Sequence, residues 1–209
     1  MTMHQSARFW DKIAKRYSRK PVSDEAAYQK KLRVTREYLR PDMEVLEFGC
    51  GTGSTAIAHA SFVKHILATD ISPKMIEIAR QKADANDVEN VTFTVASIEA
   101  FNASDNSFDA VLGLSILHLL ADKEAAIAKV HKLLKPGGVF VSNTVCLGDT
   151  MKWFRFIGPI GRALGLMPLV RIFTRNELEE SLVTAGFEFE YVWQLDEGRV
   201  VFIVARKPA

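Results

Sequence analysis

Cysteine is scarce: Cys50 and Cys146 are the two in 209 residues, too few for a disulfide framework. Neither stands in a metal-ligand spacing, so no metal site is expected. No uninterrupted apolar run reaches the roughly 18 residues that a membrane span needs. Residues 1–9 lack the apolar core of a signal peptide. Neither charge sign dominates; the formal net charge of +2 gives no bulk attraction to nucleic acid. Repeats, low-complexity tracts and Gly/Ser-rich linkers are absent as well. The expectation is a cytoplasmic, reduced protein with one domain over residues 1–209. At 48% hydrophobic and 25% charged residues, the chain can build an ordinary globular core.

What is present is alternation. Apolar, β-like runs fall at 44–48, 63–69, 91–95, 108–112 and 139–145, and segments with helical spacing fall at 54–60, 74–85 and 123–134. Short strands separated by helices need crossover connections, hence a mostly parallel sheet with helices on both faces. Residues 7–17 and 24–39 read as two helices before the first strand, with Pro41 ending the second. Thr174 and Glu177 form a capping box for a helix over 174–185, and Gly186 supplies its C-terminal cap. Runs at 187–195 and 199–205 follow, joined by a link suited to an antiparallel hairpin and too short for a crossover. The fold class is therefore α/β, a doubly wound, Rossmann-like sheet of about seven strands with a C-terminal antiparallel hairpin.

The informative stretch is Val45-Leu46-Glu47-Phe48-Gly49-Cys50-Gly51-Thr52-Gly53, a strand entering a glycine-rich turn before a helix near Ser54. Glycines let the backbone turn sharply and let a ligand approach it, at the carboxyl end of a strand where open α/β sheets bind. A dinucleotide site needs G-x-G-x-x-G or a final Ala. Gly49 and Gly51 match, but Ser54 holds the third position and the glycine comes one residue early, at Gly53. Glu47 would also oppose a pyrophosphate, while suiting a ligand with an ammonium group. Asp70 ends the next strand, where its carboxylate can accept hydrogen bonds from both hydroxyls of a ribose. Ser72-Pro73 reads as an N-cap and first helical residue, and Cys50 as a small residue that fits the glycine loop.

Together these residues resemble the class I S-adenosylmethionine-dependent methyltransferases. Glu47-x-Gly49-x-Gly51-x-Gly53 is similar to the family's first motif and Asp70 to its ribose-binding acid. Ala96-Ser97-Ile98-Glu99 stands where the family contacts adenine, with Ser97 at a position often held by Asp. Phe108-Asp109-Ala110-Val111 looks like its fourth strand, and Leu133-Leu134-Lys135-Pro136-Gly137-Gly138 like the turn before its fifth.

The resemblance implies S-adenosyl-L-methionine as cofactor and a small-molecule acceptor. The cofactor would be surrounded by Tyr17, Tyr28, Glu47, Gly49, Cys50, Gly51, Gly53, Asp70, Ile71, Met75, Ser97, Ile98 and Leu114. Met75 can equally be core packing, and Tyr17 and Tyr28 either close over the cofactor or pack on the sheet with Phe9 and Trp10. His118 is the candidate general base, with packing or capping as its other reading.

The sequence after the fourth strand, Gly113-Leu114-Ser115-Ile116, lacks the Asn/Asp-Pro-Pro-aromatic motif of amine-directed nucleic-acid methyltransferases. Within the domain, 1–40 is read as a helical lid, 43–145 as the cofactor-binding core, 146–173 as an apolar substrate cap and 174–209 as the last helix and hairpin. The stretch 151–173 has three readings: a buried cap, the wall of a pocket for a hydrophobic acceptor, or a surface that rests on a membrane. Two alternatives stand beside the enzyme: a non-catalytic regulator that kept the cofactor pocket, and an NAD-dependent oxidoreductase. Oligomeric state is not legible.

Overall fold

A computed structural model describes residues 3–148, 167–195 and 199–209, with side chains from Gln5 onward. Two helices, α1 (Met3–Ser18) and α2 (Glu25–Arg36), precede the sheet. Then come β1 (Glu44–Phe48), α3 (Ser54–His59), β2 (His65–Asp70), α4 (Pro73–Asp84), β3 (Val91–Val95) and β4 (Phe108–Leu114). The chain continues through α5 (Lys123–Leu133), β5 (Leu134–Val145), α6 (Arg175–Thr184), β6 (Glu188–Leu195) and β7 (Val200–Arg206). The seven strands form one sheet in the order β3-β2-β1-β4-β5-β7-β6. Neighbours from β3 to β5 pair in parallel, and β7 runs antiparallel to both β5 and β6. The expected α/β sheet with its closing hairpin is what forms.

Alternation of side chains along each strand feeds two cores. One face buries Phe48, Val111, Phe140 and Ile203 against Ile127 and Val130 of α5 and Leu178 and Leu182 of α6. The other buries Val45, Ile66, Leu112, Val141 and Phe202 against Ala56 of α3 and Ile76 and Ala79 of α4. Gly113 makes the first core possible, because a Cβ there would stand 2.5 Å from the Phe48 ring.

Local chemistry sets most helix ends. The Thr174–Glu177 capping box is complete, each residue's side chain accepting from the other's backbone N–H. At the far end of α6, Gly186 has φ +94°. The Gly186 N–H donates to Val183 O (2.9 Å) and the Phe187 N–H to Leu182 O (3.1 Å), so the last carbonyls are satisfied. Ser72 caps α4 by accepting from the Met75 N–H, with Pro73 in the first turn.

Several boundaries differ from the sequence reading. The second helix stops at Arg36, ahead of Pro41, because the Tyr38 and Leu39 N–H groups bond three residues back and tighten the chain out of the α path. β2 begins at His65 rather than at 63. β5 starts at Leu134, so Lys135-Pro136-Gly137-Gly138 is part of the strand and not a turn before it. Gly137 at φ +76° and a register shift between Phe108 and Ala110 absorb the irregularity. Short 3₁₀ turns at Ala60–Phe62 and Leu117–Leu119 had no sequence signal. Residues 149–166, most of the expected apolar cap, and the hairpin link 196–198 lie outside the described residues.

Candidate functional site

The carboxyl ends of β1, β2 and β4 converge on two cavities that share Tyr17, Gly49, Gly51, Leu114 and Ser115. The first encloses about 280 Å³ and is lined by Asp70, Ile71, Met75, Ser97, Ile98 and Leu114, among others. The second, about 400 Å³, reaches Tyr28, Glu47 and Cys50. Twelve of the thirteen residues expected around a cofactor therefore line one cavity or both. Gly53 and His118 line neither.

The glycine loop explains the split. Gly49, Gly51 and Gly53 all have left-handed φ, at +66°, +54° and +74°. A Cβ on Gly51 would meet nothing nearer than the Tyr17 ring at 3.9 Å, so this glycine leaves open room for a ligand. At Gly53 a Cβ would lie 2.7 Å from Phe93 and 2.8 Å from Ala79. Gly53 thus serves the packing of α3 against β3 and α4, which is why it is absent from the cavity walls. Left-handed strain of about 1–2 kcal/mol and overpacking of about 1–3 kcal/mol add at this position. Gly53→Ala should lose about 2–5 kcal/mol of unfolding free energy in a urea titration; a loss below about 1 kcal/mol would contradict the geometry.

Asp70 sits at the tip of β2 and organises the loop. Its Oδ2 accepts from the Gly51 N–H (3.0 Å) and its Oδ1 from the Ser72 N–H (2.9 Å). Each oxygen keeps a further lone pair for a ligand. Burial raises the Asp70 pKa, with the charge of Asp11 adding to it, and backbone N–H groups of Ser72, Gly51 and Ile71 oppose that rise. The Ser72 hydroxyl donates to Asp11 Oδ1 (2.6 Å), and the same oxygen accepts from the Lys74 N–H (3.1 Å). That link fastens α1 to the start of α4 and sets Trp10 and Tyr17, in edge-to-face contact at 6.2 Å, over the first cavity. Burial, and then the charge of Asp70, raise the pKa of the Tyr17 phenol.

Glu47 is the other pole. Only 3% of it is exposed, and its Oε2 has no hydrogen-bond partner. Burial, reinforced by the negative charge of Asp70, pushes its pKa up to about 8. An uncompensated buried carboxylate beside a cavity fits a cationic group and opposes a pyrophosphate. α2 closes this end: the Arg36 guanidinium donates to Ala58 O (3.0 Å) and stacks on Phe62, while the Lys30 ammonium lies 3.7 Å over the Trp193 ring.

His118 belongs to the 3₁₀ turn whose Leu119 lines the first cavity. Burial lowers its pKa to about 4. The His118 carbonyl accepts from the Arg171 N–H (2.7 Å), and the Arg171 guanidinium donates to Ala121 O (2.7 Å). These bonds tie residues 167–173 to the same turn, and Pro168 and Leu169 complete the apolar wall of the first cavity.

Sequence reasoning missed Ser115 and Asn143. Ser115 has φ +58°, and Asn143 is 5% exposed on the interior strand β5. The one available signal was the polar triplet Ser142-Asn143-Thr144 inside an otherwise apolar strand. Among the described residues no group of three or more His, Cys, Asp or Glu could hold a metal, and no helix is long and apolar enough to cross a membrane.

The fold and this pair of cavities define a class I S-adenosylmethionine-dependent methyltransferase architecture. Residues 39–178 match the model of the methyltransferase domain family, and the chain belongs to that family. It is 32% identical over 110 residues to an uncharacterized methyltransferase, YcgJ, of Bacillus subtilis, covering 53% of this chain and 44% of that one. A malonyl-[acyl-carrier protein] O-methyltransferase of Paenibacillus is 28% identical over 158 residues, covering 72% of this chain and 57% of the relative. The chain thus spans about half the length of these curated relatives. The crystal structure of YcgJ superposes with a TM-score of 0.73 at 20% identity, over 87% of this chain and 99% of that one.

Proposed function

We propose that the chain transfers a methyl group from S-adenosylmethionine to a small acceptor molecule. The observation that carries this reading is a pair of carboxylates on two cavities that share the walls Tyr17, Gly49, Gly51, Leu114 and Ser115. Asp70 offers lone pairs at one end, and Glu47 offers a buried, unpartnered oxygen at the other. A ligand with a diol at one end and an ammonium at the other matches both. Ile71, Met75 and Ile98 would flank the adenine, with Ser97 beside it; Gly51 would let the backbone approach the centre of the molecule, while Gly49 makes room for Ile116, which would stand 2.6 Å from a Cβ there. Tyr17 and Tyr28 would close over the methionine half, and Cys50 would fill the loop without a polar role.

When bound, the cofactor supplies a methyl carbon on a cationic sulfur. The protein's own task is then to hold the acceptor in line with that carbon and to keep water out, and orientation of this kind can contribute about 7–11 kcal/mol. A histidine with a pKa near 4 is a weak base at neutral pH and His118 lines neither cavity, so we give it a supporting place behind Leu119 rather than a proton-abstracting one. At saturating cofactor, His118→Ala should keep turnover within about threefold of wild type; a loss beyond about a hundredfold would return the base role to it.

Two cysteines are too few for a disulfide framework, and we propose a reducing compartment, the cytoplasm. Pro168 and Leu169 favour an apolar wall as the reading for residues 167–173. Calorimetric titration tests the proposal directly: S-adenosylmethionine or S-adenosylhomocysteine should bind and NAD should not. Binding of NAD alone would favour an oxidoreductase. Binding of S-adenosylmethionine without labelled methyl transfer to any component of a cell extract would favour a regulator.

A further inference from the structure

β4 and β5 end side by side at the mouth of the second cavity, with Leu114 opposite Asn143. Glu47 lies opposite Leu112 on the neighbouring strand. Asn143 is therefore on the same sheet face as Glu47, one row further toward the carboxyl end, because side chains alternate along a strand.

Two bonds tie this corner together. The Ser115 N–H donates to Asn143 O (2.7 Å), and Asn143 Nδ2 donates to Ser115 Oγ (3.0 Å). They hold Ser115 at φ +58°, a left-handed conformation that non-glycine residues rarely adopt and that clusters at functional sites. Asn143 Oδ1 is left over: it is buried, and no group hydrogen-bonds to it. An amide oxygen in that state calls for a donor from whatever occupies the cavity.

We propose that Asn143, braced by Ser115, holds the acceptor, and that the acceptor's nucleophilic atom carries an N–H or O–H directed at Asn143 Oδ1. The inference rests on the methyltransferase reading above and narrows it to amine- or hydroxyl-bearing acceptors. The cofactor's own polar ends are already matched by Asp70 and Glu47. Leu114 and Ser115 line both cavities and so mark the junction between them. A carbon nucleophile would leave Oδ1 as unsatisfied as before. The amide takes no proton at neutral pH, so Asn143 is a positioning residue and orients the lone pair without acting as a base; the proton released by the methylated nitrogen or oxygen passes to solvent. The Ser115 hydroxyl accepts from Asn143 Nδ2 and keeps its own proton for a second polar atom of the acceptor.

The test uses the full chain, S-adenosylmethionine labelled in its methyl group, and a deproteinised small-molecule cell extract. Wild type should yield labelled products whose new methyl is on nitrogen or oxygen. Asn143→Leu should label at least about tenfold more slowly, while its affinity for S-adenosylhomocysteine stays within about threefold. Asn143→Asp, which keeps an acceptor oxygen, should label within about threefold of wild type. Products methylated on carbon or sulfur, or an Asn143→Leu rate equal to wild type, overturn this inference and leave the enzyme reading standing. If wild type binds S-adenosylhomocysteine but labels nothing, the enzyme reading fails and this inference with it. Should Asn143→Leu also lose S-adenosylhomocysteine binding, Asn143→Asp decides: near wild-type labelling supports the assignment, and loss of labelling overturns it.

Discussion

Asp70→Ala should weaken S-adenosylhomocysteine binding by at least about a hundredfold in a calorimetric titration. Hydrogen bonds to a charged group contribute about 1.5–3 kcal/mol each, and two ribose hydroxyls would be lost together. The loss has a second source: without the carboxylate, the Gly51 and Ser72 N–H groups lose their acceptor and the glycine loop loosens. Asp70→Asn separates the two contributions. Its remaining oxygen can still take one of the two backbone N–H groups, so its melting temperature should fall less than that of Asp70→Ala while affinity falls at least about tenfold. Affinity within about threefold of wild type in both variants would remove Asp70 from the cofactor site.

Glu47→Gln should move stability and affinity in opposite directions. A free carboxyl titrates near pH 4.5, whereas Glu47 in the folded protein titrates near pH 8. The folded state thus keeps a proton that the unfolded chain releases. Stability from this group is complete below about pH 4.5 and is lost as pH rises through about 8, at roughly 1.4 kcal/mol per pH unit. Glutamine carries no such titration. Without cofactor, the variant should match wild type near pH 5 and melt on the order of 10 °C higher near pH 8.

Cofactor binding reverses the order. An ammonium beside Glu47 favours the carboxylate, so the wild type releases a proton on binding and its affinity should tighten by up to about tenfold per unit between pH 6 and 7.5. The variant should bind at least about tenfold more weakly at pH 7.5 and show no such slope. A melting-temperature difference between variant and wild type that is independent of pH, or identical affinities, would mean that Glu47 is not the isolated acid described above.

Much of this site was legible because its signals are local. Glu47, Gly49 and Gly51 follow one another in the chain, and Asp70 ends the next strand. Ser72-Pro73 and Thr174–Glu177 are caps whose hydrogen bonds span three residues, so residue identity alone decides them. What stayed hidden depends on register and packing. Ser115 meets Asn143 only because β4 and β5 pair with Leu114 opposite Asn143. Gly53 looked like a ligand residue until the Phe93 ring, from a strand about 40 positions later, filled the space beside it. His118 had a suitable residue type in a suitable place, but burial, which one sequence does not reveal, moved its pKa away from neutrality. The early end of α2 likewise follows from tightened bonds after Arg36 and not from Pro41.

The strand order carries a consequence for synthesis. Among the described residues β7 follows the six other strands of the sheet, yet it stands between β5 and β6, and Val201 to Ala205 are fully buried. While a ribosome is still making this region, β5 presents an open edge and β6 has no neighbour in the sheet. Folding must therefore finish after residues 200–206 have emerged, and a nascent chain stalled before them would expose unpaired backbone to aggregation or to chaperones.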